Sequence, residues 1–476
     1  MSRRKIVATI GPTTASIDGI RALSAAGMDV ARLNGSHADL DWHARAVSLI
    51  REAAPSVPIL IDIPGRKVRT ARLAQEPTFA AGDTIILTTD LSHDGTAKVP
   101  VTYASLHLDL RAGNTILADD GQLSFTVTSI EGRDIYCRAN VSGTLRSAKG
   151  INVPMVTLRT ELVTDRDRQM LAFARDMGVD FVGISFVESA AHVALIRDAL
   201  GAGTPAIIAK IENQGGLDHA EEIVAVADAI MIDRGDLSVE TGLVGVVLAQ
   251  KRILEIARRS ACPVIVATEM LHSMIAGPSP TKAEVSDITN AVLDGASALM
   301  LSGETAIGAF AREAVSLMRS VVDHAAQFAS APPMSTARSG DIPQAVGVAI
   351  GSLCAGAPIT KIVAVTLSGF AARMVASQMP KQPIIAVTRE PSRARRFNLL
   401  PGVTGVAVDV TFTKGSSDHI PRCLKELWRR GLIVDDDLIL VVGVVYPKSG
   451  NRMNLMEIHR VSDIRDALEW VAPRSA

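Results

Sequence analysis

Eight short runs rich in valine, isoleucine and leucine recur through the first two thirds of the chain. They are Lys5–Thr9, Asp29–Leu33, Pro58–Asp62, Asp180–Ser185, Ala206–Lys210, Ala229–Asp233, Pro263–Thr268 and Ala298–Ser302. Longer amphipathic stretches separate most of them, among them Ser16–Ala26, Asp165–Met177, Gly245–Arg259 and Lys282–Leu293. Continuous apolar strands alternating with helices indicate a parallel sheet buried on both faces. Eight such units predict an α/β fold of the (β/α)8 TIM barrel type, with its chemistry at the C-terminal ends of the strands. Six or seven units would favour an open doubly wound sheet, which is the alternative.

The alternation breaks between Arg69 and Lys149. There the pattern changes to short alternating strands, Thr84–Thr88, Gln122–Ile130 and Asp134–Ala139, with turn signals at His93-Asp94-Gly95 and Asp120-Gly121. This predicts a small β-barrel-like domain inserted after the third strand, placed to act as a lid. A stretch rich in Ala, Pro and Ser, Ser330–Asp341, reads as a linker. Beyond it Lys361–Thr366, Pro383–Thr388, Val403–Val408 and Asp437–Gly443, with helical patterns such as Gly369–Met379 and His419–Arg430, predict a C-terminal open α/β domain. The expected division is a barrel at 1–70 and 150–330, a lid at 71–149, and a regulatory-type domain at 340–476.

Composition narrows the function. With 476 residues, 47% hydrophobic and 21% charged, the chain is an ordinary globular protein of more than one domain. A formal charge of -1 gives no basic surface for nucleic acid or membranes, and 3% aromatic content argues against base stacking. Four scattered cysteines fit a reducing compartment, and neither a signal-peptide core nor a run of membrane-spanning length is present. A cytoplasmic protein is expected.

The strand ends carry the chemistry. Ala206–Ala209 is apolar, yet Lys210, Glu212 and Asn213 follow directly, and charges at the end of a buried strand are costly unless they are used. The same happens elsewhere: Arg32, Asn34 and Ser36 after the second run, Asp62, Lys67 and Arg69 after the third, Arg234 and Asp236 after the sixth, Thr268 at the seventh, Ser302 and Glu304 at the eighth. Glu212 and Asp236 suit a hard divalent cation such as Mg2+. The arginines and lysine suit phosphate, and Gly235 permits close backbone approach to an anion. A purely structural ion-pair network is the competing reading. No GxxxxGK[ST] loop, no GxGxxG after a strand and no metal-ligand histidine spacing is present.

Several segments together resemble the pyruvate kinase family along almost the full length. They are Lys5–Pro12, Ala31–Asn34 with Ser36-His37, Lys210–Asn213, Arg234–Leu237, Ala267–Leu271 with Ser273–Ile275, Asn290–Ala296 and Met300–Ala306, and the insert with Asp119-Asp120-Gly121 fits the same arrangement. The resemblance implies reversible phosphoryl transfer between phosphoenolpyruvate and ADP, giving pyruvate and ATP. By matching position, Glu212 and Asp236 would hold Mg2+ (or Mn2+), Lys210 would stabilise charge on the transferring phosphoryl and enolate, and Arg32 would bind phosphate. Thr268 would assist enolate protonation, while Gly235 and Arg69 would contact substrate. A homotetramer is also implied.

The chain departs from the family at several positions. Residues matching Asn34, Ser36, Asp62 and the backbone of Ile63 hold a monovalent cation in the family, and the next segment commonly reads Lys-Gly-Pro-Glu; here it is Pro64-Gly65-Arg66-Lys67. Lys67 resembles the subgroup that works without K+, because a tethered ammonium supplies the missing charge. Gly35 replaces a usual Phe, Glu188 an Arg, and Asp233 an Ala. Thr366, Ser368 and Gly369 resemble the loop that grips an effector phosphate, implying a sugar-phosphate or nucleotide effector, although Ala371 or Ala372 stands where a further hydroxyl is typical. Two other classes stay open: a paralogue or metal-dependent lyase or aldolase of pyruvate-like enolates on the same barrel, and a weakly catalytic metabolite sensor.

Overall fold

A computed structural model of the chain describes residues 4–65, 67–119, 121–154, 156, 158–159, 161–201, 205–329, 342–412, 416–444 and 453–471. The expected linker Ser330–Asp341, together with Arg66 and Asp120, lies outside these residues.

Eight parallel strands close into a barrel: β1 (Lys5–Thr9), β2 (Val30–Asn34), β3 (Ile59–Ile63), β4 (Phe181–Ile184), β5 (Ala206–Ile211), β6 (Ala229–Asp233), β7 (Val264–Ala267) and β8 (Ala298–Leu301). Each pairs with its neighbours in sequence, and β8 returns to β1. Side chains alternate across a strand, so the apolar runs serve two cores. Val7, Val30, Leu60, Ile208, Met231 and Met300 fill the barrel interior. Ile6, Ala31, Ile61, Ile207, Ile232 and Leu299 pack outward against the helices.

Serine, aspartate and threonine start several of these helices by accepting backbone N–H groups that have no partner within the helix. Ser16, Asp39 and Ser189 do so singly, and Thr164 and Thr281 form full capping boxes with Asp167 and Glu284. The helix after β6 is longer than expected. It runs Arg234–Arg259, with a kink at Gly242 where φ is 73°. Its first two turns hold Gly235, Ser238 and Thr241, poor helix formers that hid it from periodicity.

The insert leaves after β3 and returns before the helix Asp165–Asp176. Its six-stranded sheet runs Ile151–Asn152, Thr115–Ala118, Leu123–Glu131, Asp134–Ala139, Thr84–Thr88, Val99–Pro100, and a separate pair joins Thr78–Phe79 to Gly143–Thr144. Leu87, Ile116, Phe125 and Ile135 form its own core. The two chain segments joining insert to barrel run side by side: Thr70 N–H donates to Lys149 O, Ile151 N–H to Val68 O, and Arg69 bridges Gly150.

The C-terminal sheet orders Val403–Ala407, Ile384–Thr388, Lys361–Val365 and Leu438–Gly443 in parallel, and adds an antiparallel edge strand, Leu455–Arg460. Leu399, from the turn before Val403, enters the barrel's interior stack at its N-terminal mouth. Lys5 Nζ donates to Val403 O at 2.9 Å beside it. Asp180, fully buried ahead of β4, takes Arg51 from the barrel and Arg395 from the C-terminal unit's helix Pro391–Phe397. Among the described residues no helix is long and apolar enough to cross a membrane, and all four cysteines are free.

Candidate active site

The charged residues converge because they share one parity. Arg32 on β2, Asp62 on β3, Lys210 on β5 and Asp233 on β6 each lie an even number of residues beyond an interior side chain of the same strand, namely Val30, Leu60, Ile208 and Met231. All therefore point into the barrel's C-terminal mouth. Ser185 and Glu212 continue this parity one residue past the ends of β4 and β5.

Lys210 stands at the centre, buried. Its ammonium lies 3.4 Å from Asp62, 3.2 Å from Glu212 and 3.3 Å from Asp233, and donates to Ser185 Oγ at 3.2 Å. Burial opposes the charged form, but Asp62, Glu212 and Asp233 outweigh it and hold the ammonium well above its ordinary pKa. Arg32 donates to Asp62 Oδ2 from Nε at 3.1 Å and Nη2 at 2.6 Å, and from Nη1 to Thr9 Oγ1 at 3.1 Å. Burial of Asp62 raises its pKa, yet Lys210 and Arg32 overcome this and keep it ionised. Gly183 makes room for that carboxylate: a Cβ there would come within 2.9 Å of Asp62 Oδ1.

Glu212 is fully buried. Its Oε1 accepts the Phe186 N–H at 2.8 Å, while Oε2 accepts no hydrogen bond. Burial, followed by the neighbouring Asp236, Asp233 and Asp62 against the pull of Lys210, pushes its carboxyl up to about 8. Asp236 is raised by burial and by Asp233 as well. Glu212, Asp233 and Asp236 offer oxygens all within 4.8 Å of one another. A compact all-oxygen set of this kind fits Mg2+ or Mn2+.

Lys67 sits on the tether into the insert. Its ammonium contacts Asp236 and lies 5.8 Å from the Phe186 ring centroid. Gly150 on the returning strand leaves space for its stem, since a Cβ there would meet Lys67 Cε at 2.8 Å. Asn34 and Ser36 form a local turn, with Ser36 N–H donating to Asn34 Oδ1 at 3.1 Å, and Gly35 N–H donates to Asp62 O at 2.8 Å. Asp62 is engaged by Arg32 and Lys210, so the contacts of Lys67 and those of Asp62 belong to separate groups. Gly35 is explained by packing: a Cβ would meet Asp62 O at 2.7 Å and Met170 Cε at 2.8 Å. Arg69 donates to Ala148 O at 3.1 Å in the tether and, after burial, is the next influence lowering the His37 pKa.

Thr268 follows β7 with a left-handed φ of 69°, and Glu269 beside it has 56°. Such strain costs about 1–3 kcal/mol per residue and persists only where neighbours enforce it. Here Thr268 Oγ1 donates to Ala267 O at 2.6 Å and accepts the Gly235 N–H at 2.9 Å. Arg234 donates to Thr268 O at 2.7 Å while paired with Asp287. Arg234 thus clamps the loop, and the Gly235 amide is directed at Thr268. Glu304 likewise joins loops, its oxygens accepting the N–H groups of Leu271 at 3.1 Å and Ser302 at 2.7 Å. Glu188 accepts from Asn213 Nδ2 at 2.8 Å, and Asn213 Oδ1 caps the next short helix. Sequence reading missed Thr9, Gly183 and Ser185 as neighbours of the charged group; the parity of two along each strand is the signal that finds them.

A cleft of about 290 Å3 opens between tether and barrel, lined by Lys67, Asn152, Phe186, Glu188, Asn213 and Glu240 among others. In the C-terminal unit, Gly369 N–H donates to Thr366 Oγ1 at 3.0 Å and Phe370 N–H to Ser368 Oγ at 3.4 Å, so both hydroxyls serve the turn into the helix Phe370–Ser377.

Comparison with known proteins agrees with this architecture. Residues 1–315 match the sequence profile of the pyruvate kinase barrel domain, and residues 344–459 that of the pyruvate kinase alpha/beta domain. A pyruvate kinase of Mycobacterium tuberculosis is 37% identical over 475 residues, covering 97% of this chain and 99% of that protein. One of Bacillus licheniformis is 36% identical over 490 residues, covering 100% of this chain and 83% of that protein. A crystal structure of a pyruvate kinase from Cryptosporidium parvum superposes with a TM-score of 0.87 at 32% identity, over 97% of this chain and 96% of the other. With a closed eight-stranded barrel and both sequence domains matched, the chain belongs to the pyruvate kinase family of phosphotransferases.

Proposed function

We propose that the chain transfers a phosphoryl group between phosphoenolpyruvate and ADP, giving pyruvate and ATP, with Mg2+ or Mn2+ and without a requirement for K+. The observation that carries this reading is the buried ammonium of Lys210, set among Asp62, Glu212, Asp233 and Ser185 with Arg32 alongside. Phosphoryl transfer asks chiefly for positioning and charge neutralisation. Lys210 and Arg32 supply fixed positive charge to the phosphoryl and the developing enolate. Glu212 and Asp236 would hold the divalent ion, which would supply charge neutralisation to the substrate. Thr268 Oγ1, hydrogen-bonded on both sides, orients the proton path to the enolate carbon. The unit 71–149 closes over the cleft beside Lys67, excludes water and so limits hydrolysis. Lys67 takes the place of a monovalent cation, and Gly235 and Arg69 border the substrate.

The C-terminal unit reads as regulatory. Ser368 and Gly369 line a cavity of about 350 Å3 against the barrel's base together with Arg197, Arg373, Arg393 and Arg396. Guanidinium groups and a hydroxyl turn suit a sugar-phosphate or nucleotide effector. Two apolar surfaces support assembly as a homotetramer: Leu243, Val244, Val247 and Leu248, exposed after the Gly242 kink, and Met456 and Ile458 on the edge strand. A cytoplasmic place accords with the four free thiols.

A second reading is favoured by Glu188, Asp218 and Glu240, which make the cleft acidic: a paralogue using another enol-phosphate or acceptor. A coupled assay of the purified protein with phosphoenolpyruvate, ADP and Mg2+, with and without K+, separates the two. Turnover indifferent to K+ supports the first reading in full, turnover only with K+ removes the role of Lys67, and no turnover in folded protein that binds Mg2+ favours the second.

A further inference from the structure

We propose that Asp233 is a third carboxylate ligand of the divalent ion, so that this chain binds its metal through three acidic side chains. The inference rests on the reading of Glu212 and Asp236 as ion holders, and adds a residue to it. Asp233 is the last residue of β6 and has the inward parity of Ala229 and Met231, so its carboxylate enters the same mouth as Lys210 and Glu212. Its oxygens share the 4.8 Å cluster with those of Glu212 and Asp236.

Charge balance points the same way. The buried group sets four carboxylates, Asp62, Glu212, Asp233 and Asp236, against three cations, Arg32, Lys67 and Lys210. Without Asp233 the ionised charges would match; with it, and with all four carboxylates ionised as cation binding requires, one negative charge is in excess. Lys210 already pairs with Asp62 and Glu212, so a third anion is not needed to neutralise it. Glu212 Oε2 is fully buried and has the Lys210 ammonium at 3.2 Å, so a cation in this cluster would share the Glu212 carboxylate with Lys210. A divalent ion turns the excess negative charge into an excess positive one, which suits an anionic substrate. The third carboxylate also takes one more of the ion's six positions, leaving fewer for water.

The test uses the full-length, substrate-free protein and Mn2+. Affinity is read from the paramagnetic resonance signal of free Mn2+, and inner-sphere water from proton relaxation, for wild type, Asp233→Ala, Asp233→Asn and Glu212→Gln, with circular dichroism to check folding. We expect Asp233→Ala to weaken Mn2+ binding at least about tenfold and to raise the relaxation enhancement as water replaces the lost ligand. Asp233→Asn, which keeps an oxygen but no charge, should fall between. Loss of binding in Glu212→Gln with unchanged affinity and relaxation in Asp233→Ala overturns the proposal and leaves Asp233 as a partner of Lys210 alone. Unchanged binding in Glu212→Gln removes the ion site itself, and this ligand with it.

Discussion

Lys67 holds its ammonium against the carboxylate of Asp236, and so ties the segment entering the insert to the first turn of the helix after β6. Any cation arriving at Asp236 meets a charge already there, and any motion of the tether changes it. Replacing Lys67 by Met should lower turnover about a hundredfold, the cost of losing one preorganised charge, and should make the variant respond to K+. The wild type should turn over equally in K+ and in tetramethylammonium. A large stimulation of the wild type by K+ would refute this role for Lys67.

Lys210 pairs with three carboxylates at once. In the absence of metal, Lys210→Met strands buried charge, which costs about 3–5 kcal/mol; a denaturation midpoint measured in EDTA should show it. Saturating Mg2+ should restore much of that stability while turnover stays down by about 10²-fold or more. Equal stability in EDTA would mean that the carboxylates do not depend on Lys210.

Glu212 sets the response to pH. Its folded pKa is raised from 4.5 to about 8, so its stabilising contribution is full at low pH and is lost as pH rises through about 8. Metal-free protein should therefore lose stability over this window, while the added stability from Mg2+ grows. Below the raised pKa, Mg2+ binding must expel a proton. Calorimetric titration in buffers of different ionisation enthalpy at neutral pH should detect that proton, and Glu212→Gln should abolish it.

Thr268 is held in a strained turn by Gly235, Arg234 and the carbonyl of Ala267. Thr268→Val keeps the shape and removes the hydroxyl. Turnover should fall by about 10²-fold, the usual worth of a positioned proton donor, and exchange of pyruvate methyl protons with D2O should fall with it. Thr268→Ser should retain most of both.

The turn at Thr366–Gly369 yields a binding prediction. A sugar mono- or bisphosphate should shift the melting temperature of the wild type, and the shift should vanish in Ser368→Ala. Unchanged binding in that variant would place the effector elsewhere.

The barrel was legible because β1 to β8 are apolar on both faces, which leaves runs of Ile, Val and Leu that no surface strand shows. The edge strand Leu455–Arg460 was not, since most of its face is exposed and its Glu, His and Arg break any apolar run. Thr78–Phe79 and Gly143–Thr144 are too short to carry a pattern. In the site, Lys210, Glu212 and Asp236 announce themselves as charges after apolar strands. Ser302 and Glu304 did so equally, yet Glu304 binds backbone amides of two loops. Charge at a strand end marks the mouth of the barrel, while the partner that each charge takes depends on contacts far apart in sequence.

Leu399 belongs to the C-terminal unit, yet it completes the floor of the barrel on which the interior side chains rest. A barrel cut away from that unit would open a wet hole beneath Phe181 and Leu60, two layers below Lys210. The catalytic scaffold is therefore borrowed in part from the domain that follows it, and the two should melt as a single cooperative body rather than in turn.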